Sequence, residues 1–215
     1  MPSIKASFAT AAALTLLAGC AKDNEIVDAA GGISVTRSAC PAVAVPNYTG
    51  DVTLFNPADS RDSRAIDVVA TITNVRTSCN ENGADLVGNA TFDVVARRSD
   101  ASGAREVTLP YFATVVRGGN QVTAKRVQNV TLRFADGQLR TTAQGTGMAV
   151  VNKAAATIPE EVERKINRKR KPGDADAAVD PLADPEVRAA VSRASFELLL
   201  GFQLNQDQLR YNATR

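Results

Sequence analysis

From Asp51 to about Val151 the chain repeats one pattern, short stretches rich in Val, Thr, Ile and Phe separated by clusters of turn formers. Ile66, Val68, Ala70 and Ile72 alternate with polar positions that include Asp67, Thr71 and Thr73. Asn80-Glu81-Asn82-Gly83 follows, a run that tolerates left-handed backbone. Beyond it Leu86, Ala90, Phe92, Val94 and Ala96 share one face, opposite Asn89, Thr91, Asp93 and Arg97, which predicts a hairpin. Further turn clusters at 99–103, 118–120 and 135–137 separate strand-like stretches at 107–116, 122–134 and 139–150. The spacing is that of an antiparallel sandwich or barrel. Pro110 cannot donate to a ladder, which predicts an edge strand or a bulge there, and Gly145 and Gly147 weaken the last stretch.

After Asn152 the period changes. Pro159-Glu160-Glu161-Val162 predicts the start of a helix, with proline near its first position and acids in its first turn. Basic residues fill its end: Arg164, Lys165, Arg168, Lys169, Arg170 and Lys171 place six cations in eight residues. Pro172-Gly173 stops that helix, residues 174–184 read as a solvated acidic loop, and Asp184-Pro185-Glu186 caps a second helix whose buried side holds Val187, Val191 and Ala194. In 194–204 the period is two: Phe196, Leu198, Leu200, Phe202 and Leu204 lie opposite Ser195, Glu197, Gly201 and Gln203, so a strand is predicted. Asn205 with Gln208 then forms a capping box for a short last helix to about Asn212. The fold class expected is all-β, an antiparallel immunoglobulin-like β-sandwich with a helical insertion before the last strand and a short C-terminal helix.

The N-terminus follows different rules. Residues 1–5 carry one cation, 6–17 are apolar apart from Ser7, Thr10 and Thr15, and Leu17-Ala18-Gly19-Cys20 closes the run. About a dozen apolar residues make an export signal, whereas a spanning helix needs about 20. Leu17-Ala18-Gly19-Cys20 resembles the lipobox of bacterial lipoproteins. The resemblance implies cleavage after Gly19, acylation of Cys20, and attachment to a membrane through acyl chains such as palmitate. With Ala21 after the cysteine in place of aspartate, it implies the periplasmic face of the outer membrane. The organisation expected is a signal peptide at 1–19, a flexible tether at 20–34, and a single domain at 35–215 with its insertion at about 157–193.

Composition narrows the chemistry. The 215 residues carry a net charge of +2 and no histidine, which removes imidazole as base, proton shuttle or metal ligand. With Cys20 acylated, Cys40 and Cys79 remain as a pair in an oxidising compartment, and a disulfide is expected between them. Two thiols without histidine or a close Cys-x-x-Cys spacing fall short of zinc ligation, and the 174–184 loop lacks the spacing of a calcium loop, so no metal and no cofactor are expected. The sequence has no Gly-x-Ser-x-Gly elbow and no Ser-x-x-Lys, and Ser60-Arg61-Asp62-Ser63-Arg64 reads as a surface turn. The cluster Arg164, Lys165, Arg168, Lys169, Arg170 and Lys171 has two readings: a patch for an anionic surface, or a solvated face neutralised by Asp174, Asp176 and Asp180. Nucleic acid is not an expected partner. The expectation is a non-enzymatic structural or protein-binding component of the envelope with an envelope protein as partner. A lipid or small apolar ligand carrier is the alternative, and a cell-wall hydrolase ranks third.

Overall fold

The alternation between Asp51 and Val151 reappears as strands in the computed structural model, which describes residues 38–168, 173–174 and 179–215 in full and the backbone alone at 26–27 and 33–34. The chain divides into two units, Met1–Arg37 and Ser38–Arg215. In the first, β1 (Ile26–Val27) pairs antiparallel with β2 (Ile33–Ser34). The second holds β3 (Ala42–Ala44), β4 (Asp51–Phe55), β5 (Ile66–Asn82), β6 (Asp85–Arg98), β7 (Arg105–Arg117), β8 (Gln121–Phe134), β9 (Arg140–Asn152) and β10 (Phe196–Phe202). They form two four-stranded sheets, ordered β4-β5-β6-β9 and β3-β10-β7-β8. Every neighbouring pair is antiparallel except β3 with β10, which is parallel.

The sheets face each other as a sandwich because the period-two apolar positions of both point to one core. Val68, Phe92, Val94, Leu132, Leu198 and Leu200 are all buried in it. The close contact between sheets is made where β9 has no side chains. A Cβ on Gly147 would lie 2.4 Å from Leu200 Cδ2, so only glycine lets β9 pass over β10 at this distance. Gly145 leaves the corresponding space to the Phe92 ring. The two glycines that weaken the 139–150 stretch as a strand are thus what permit its packing. Beside them Tyr111 of β7 stands edge-on to Phe92 with ring centroids 5.2 Å apart, and its hydroxyl donates to the Thr146 carbonyl at 3.0 Å.

The 196–204 alternation forms β10, now an interior strand between β3 and β7. Leu198, Leu200 and Phe202 are fully buried, each contributing roughly 1.5–3 kcal/mol. The insertion comprises α1 (Lys153–Ala156), α2 (Glu160–Ile166), a short 3-10 turn at Pro181–Ala183, and α3 (Pro185–Arg193). Val162, Val187 and Ala190 join α2 to α3 in a small core of their own. The last helix, α4 (Gln206–Thr214), begins in the capping box expected of Asn205 and Gln208. Its Asn212 is buried and donates to the carbonyls of Tyr48 and Asp51, fastening the C-terminus to the start of β4.

Two expectations are corrected. Pro110 lies on β7, an interior strand, and the β7 irregularity falls between Val115 and Val116. The proline is accommodated because its carbonyl accepts from Gln203 N–H at 2.8 Å, one residue past the last β10 pair. Its nitrogen points the same way, so the single bond it cannot make is the reciprocal one to the Gln203 carbonyl, just past the end of β10 at Phe202. The helix opened by Pro159 ends at Ile166 rather than running through the basic cluster, since Asn167 leaves helical geometry after its N–H bonds the Glu163 carbonyl.

Candidate functional site

Cys20 and the tether's side chains, with Lys169, Arg170 and Lys171, lie outside the described residues. Cys40 and Cys79 come together: their sulfurs are 2.09 Å apart and their Cα atoms 6.2 Å, at a sequence separation of 39. Cys40 precedes β3 in one sheet and Cys79 belongs to β5 in the other, so the bridge ties the two sheets at the point where the domain begins. Cys79 pairs with Gly88, above which Pro41 packs at 3.5 Å from where a Cβ would sit. An open groove of about 390 Å³ runs beside the bridge, with Val43, Thr77 and Leu198 in its walls. It holds no charged side chain and offers no group that could activate a nucleophile.

Arg164 and Lys165 of the basic cluster are engaged locally. Arg164 bonds Glu160 one turn earlier at 2.7 Å, and Lys165 lies 3.3 Å from Glu186 of α3 and 3.6 Å from Asp184, the residue that caps that helix. The Glu186 carboxylate, reinforced by the charge of Asp184, raises Lys165 above its usual range. For Arg164 and Lys165 the neutralising acids are Glu160 of α2, Asp184 at the N-cap of α3 and Glu186 in its first turn, while Asp176 lies outside the described residues. Asp184 is held below the usual carboxylate range, first by the Glu186 N–H at the start of α3 and then by Lys165. Ser60-Arg61-Asp62-Ser63-Arg64 is a surface turn, as expected: Asp62 caps the 3-10 turn Ser63–Ala65 and pairs with Arg64.

Sequence reasoning missed Arg98, the largest of the fully buried side chains, at 2% exposure. Its guanidinium donates to the carbonyls of Ala101, Gly103, Ala135 and Gln138 at 2.7–3.0 Å and lies 5.2 Å from the Phe134 ring centroid. These bonds hold the 99–103 and 135–138 turns together, and the Asp136 carboxylate, accepting from Gly103 N–H, adds to them. The available signal was the period-two series of β6, whose inward positions run through Ala96 to Arg98.

The remaining open feature is the edge of β8. Residues 121–129 are exposed although they belong to a strand, while β7 alongside is buried over most of its length. Val122 is 60% exposed and Val127 55%. The direction of the free backbone groups follows from Pro110. Its carbonyl faces β10, so Pro110 and its partner Asn129 are a pair without mutual hydrogen bonds, and Asn129 turns its N–H and C=O away from β7. By the two-residue period Val127 and Lys125 do the same. The Arg133 carbonyl, which accepts from the Thr141 hydroxyl of β9 at 2.7 Å, has the same parity and the same outward direction. From Arg133 toward Gln121 that contact with β9 is not continued by any hydrogen bond between described residues. Lys125 lies over the outer face with its ammonium 5.5 Å from the Phe112 ring centroid, and Arg126 occupies the opposite face, in register with Ala113. Neither cation has a carboxylate partner among the described residues.

Among those residues no group of three or more His, Cys, Asp or Glu could hold a metal ion, and no helix is long and apolar enough to cross a membrane. No protein-family model, curated protein or solved structure matches the chain.

Proposed function

We propose that this chain is a bacterial lipoprotein, held by acyl chains on Cys20 to the periplasmic face of the outer membrane, where its β-sandwich serves as a structural or protein-binding component of the envelope. The observation that carries the anchor is Leu17-Ala18-Gly19-Cys20 behind a short apolar run. More than one acyl chain, at roughly 0.8 kcal/mol per buried methylene, makes such attachment durable. A Cys40–Cys79 pair at bonding distance supports an oxidising compartment. The protein-binding role is supported by the open strand edge, which offers backbone groups and no activated nucleophile. The immunoglobulin-like analogy belongs to the same proposal: it rests on two facing sheets joined by a disulfide, and it extends to architecture and not to strand order.

Two measurements test this. Expressed in a bacterial host with labelled fatty acid, the native chain incorporates label and Cys20→Ser does not; labelling of Cys20→Ser ends the anchor reading. In a pull-down from solubilised envelopes the acylated chain retains a protein partner. Release of soluble fragments from purified sacculi, or extractable lipid carried through purification, would replace binding by hydrolysis or transport.

A further inference from the structure

We propose that the free edge of β8 at residues 121–129 docks an extended, acidic segment of a partner protein, which joins the sheet as a fifth strand next to β8. The inference rests on the protein-binding part of the function proposed above and is independent of acylation. Lys125, Val127 and Asn129 each present an N–H and a C=O to the open side, a repeat that matches the backbone of an added strand. Both faces of the strand are exposed there, so the incoming side chains are received on either side.

Charge chooses the occupant. Lys125 and Arg126 stand on opposite faces of β8, and the 121–129 stretch contains no acid. A single lysine on an edge is a common guard against unwanted pairing. Here the guard is selective. A second copy pairing through the same nine residues would bring four cations and no carboxylate into one ladder, which like-charge repulsion disfavours. A segment with two adjacent acidic residues would reach Lys125 with one side chain and Arg126 with the other, while alternate Val or Thr residues cover Val122 and Val127. Position 127 also provides a clean control. Its N–H faces the open side and takes no part in the β7 ladder, so proline there removes a docking donor and leaves the sheet's own bonds in place.

The test titrates the full mature chain with a fluorescent ten-residue peptide of alternating Val and Thr carrying two adjacent central glutamates, and with its twin carrying lysines. The acidic peptide is expected to bind roughly tenfold or more tightly than the basic one, with amide-exchange protection at Lys125, Val127 and Asn129. Lys125→Glu/Arg126→Glu is expected to reverse the preference. Val127→Pro is expected to abolish binding with the thermal transition retained; if it fails to fold, the charge reversal and the Lys125→Gln/Arg126→Gln variant decide. The proposal is overturned by any one of four results: no saturable binding of the acidic peptide, a preference unchanged by charge reversal, protection elsewhere, or self-association through residues 121–129. A partner captured equally well by the native chain and by the charge-reversed chain would leave the proposed function standing and remove this edge from it.

Discussion

A buried arginine usually faces a carboxylate, and Arg98 faces four carbonyls instead. Each of those oxygens loses a charged donor if the side chain is replaced, so Arg98→Met is expected to destabilise the domain by about 3 kcal/mol or more, read from chemical denaturation. Arg98→Lys retains the charge but not the fork, and is expected to recover less than half of the loss. Gly147→Ala makes a steric prediction of the opposite kind, since a methyl 2.4 Å from Leu200 Cδ2 forces the sheets apart. The expected cost is about 1–3 kcal/mol, and Leu200→Val in the same chain should restore part of it. The two residues also differ in how legible they are. Arg98 continues the inward series of β6 and could have been found from the period alone. Gly147 reads only as a poor strand former, because the atom it makes room for is supplied by a strand more than fifty positions away.

Among the elements, β10 combines a clear pattern with a central position. Its alternating Phe and Leu residues are unmistakable in sequence, and in the fold it separates β3 from β7. A chain ending at Arg193 should therefore lose the cooperative thermal transition altogether; a retained transition with the native β circular-dichroism signal would show that β10 is dispensable. The neighbour β3 was not legible, since three residues carry too little pattern and its parallel partner lies about 150 residues away. Pro110 was read as an edge signal because the sequence does not say where β10 stops. Helix α3 offers a titration. The carboxyl of Asp184 is depressed by the Glu186 N–H and by Lys165, so the folded state binds this proton less readily than the unfolded chain. The stability this adds is fully present above the ordinary carboxylate value near pH 4 and is lost as pH falls through the lower folded value. Amide exchange in α3 should accelerate on acidification through that window, whereas Asp184→Asn, which keeps an acceptor, should remove this residue's share of the effect.

For the molecule as a whole, two facing sheets followed by helices and a returning strand were legible, because alternation and turn chemistry are local. The order of strands was not, because it is decided by contacts such as Leu200 against Gly147 that no window of sequence contains. The Cys40–Cys79 pairing followed from counting thiols and compartment. Its loss, in a Cys40→Ala/Cys79→Ala chain, is expected to cost about 4 kcal/mol on a chain-entropy basis for a separation of 39, measured by thermal unfolding; non-reduced peptide mapping should show one linked pair. The position of that bridge decides how the domain would carry mechanical load. In a protein tethered near Cys20, tension enters just before Cys40 and passes through the sulfurs to β5 and the opposite sheet, so the three-residue strand β3 is spared from being peeled off β10. The bridge also removes the chain between residues 40 and 79 from what can be drawn out, about 130 Å of length, so stretching the oxidised and reduced protein should show contour lengths that differ by that amount.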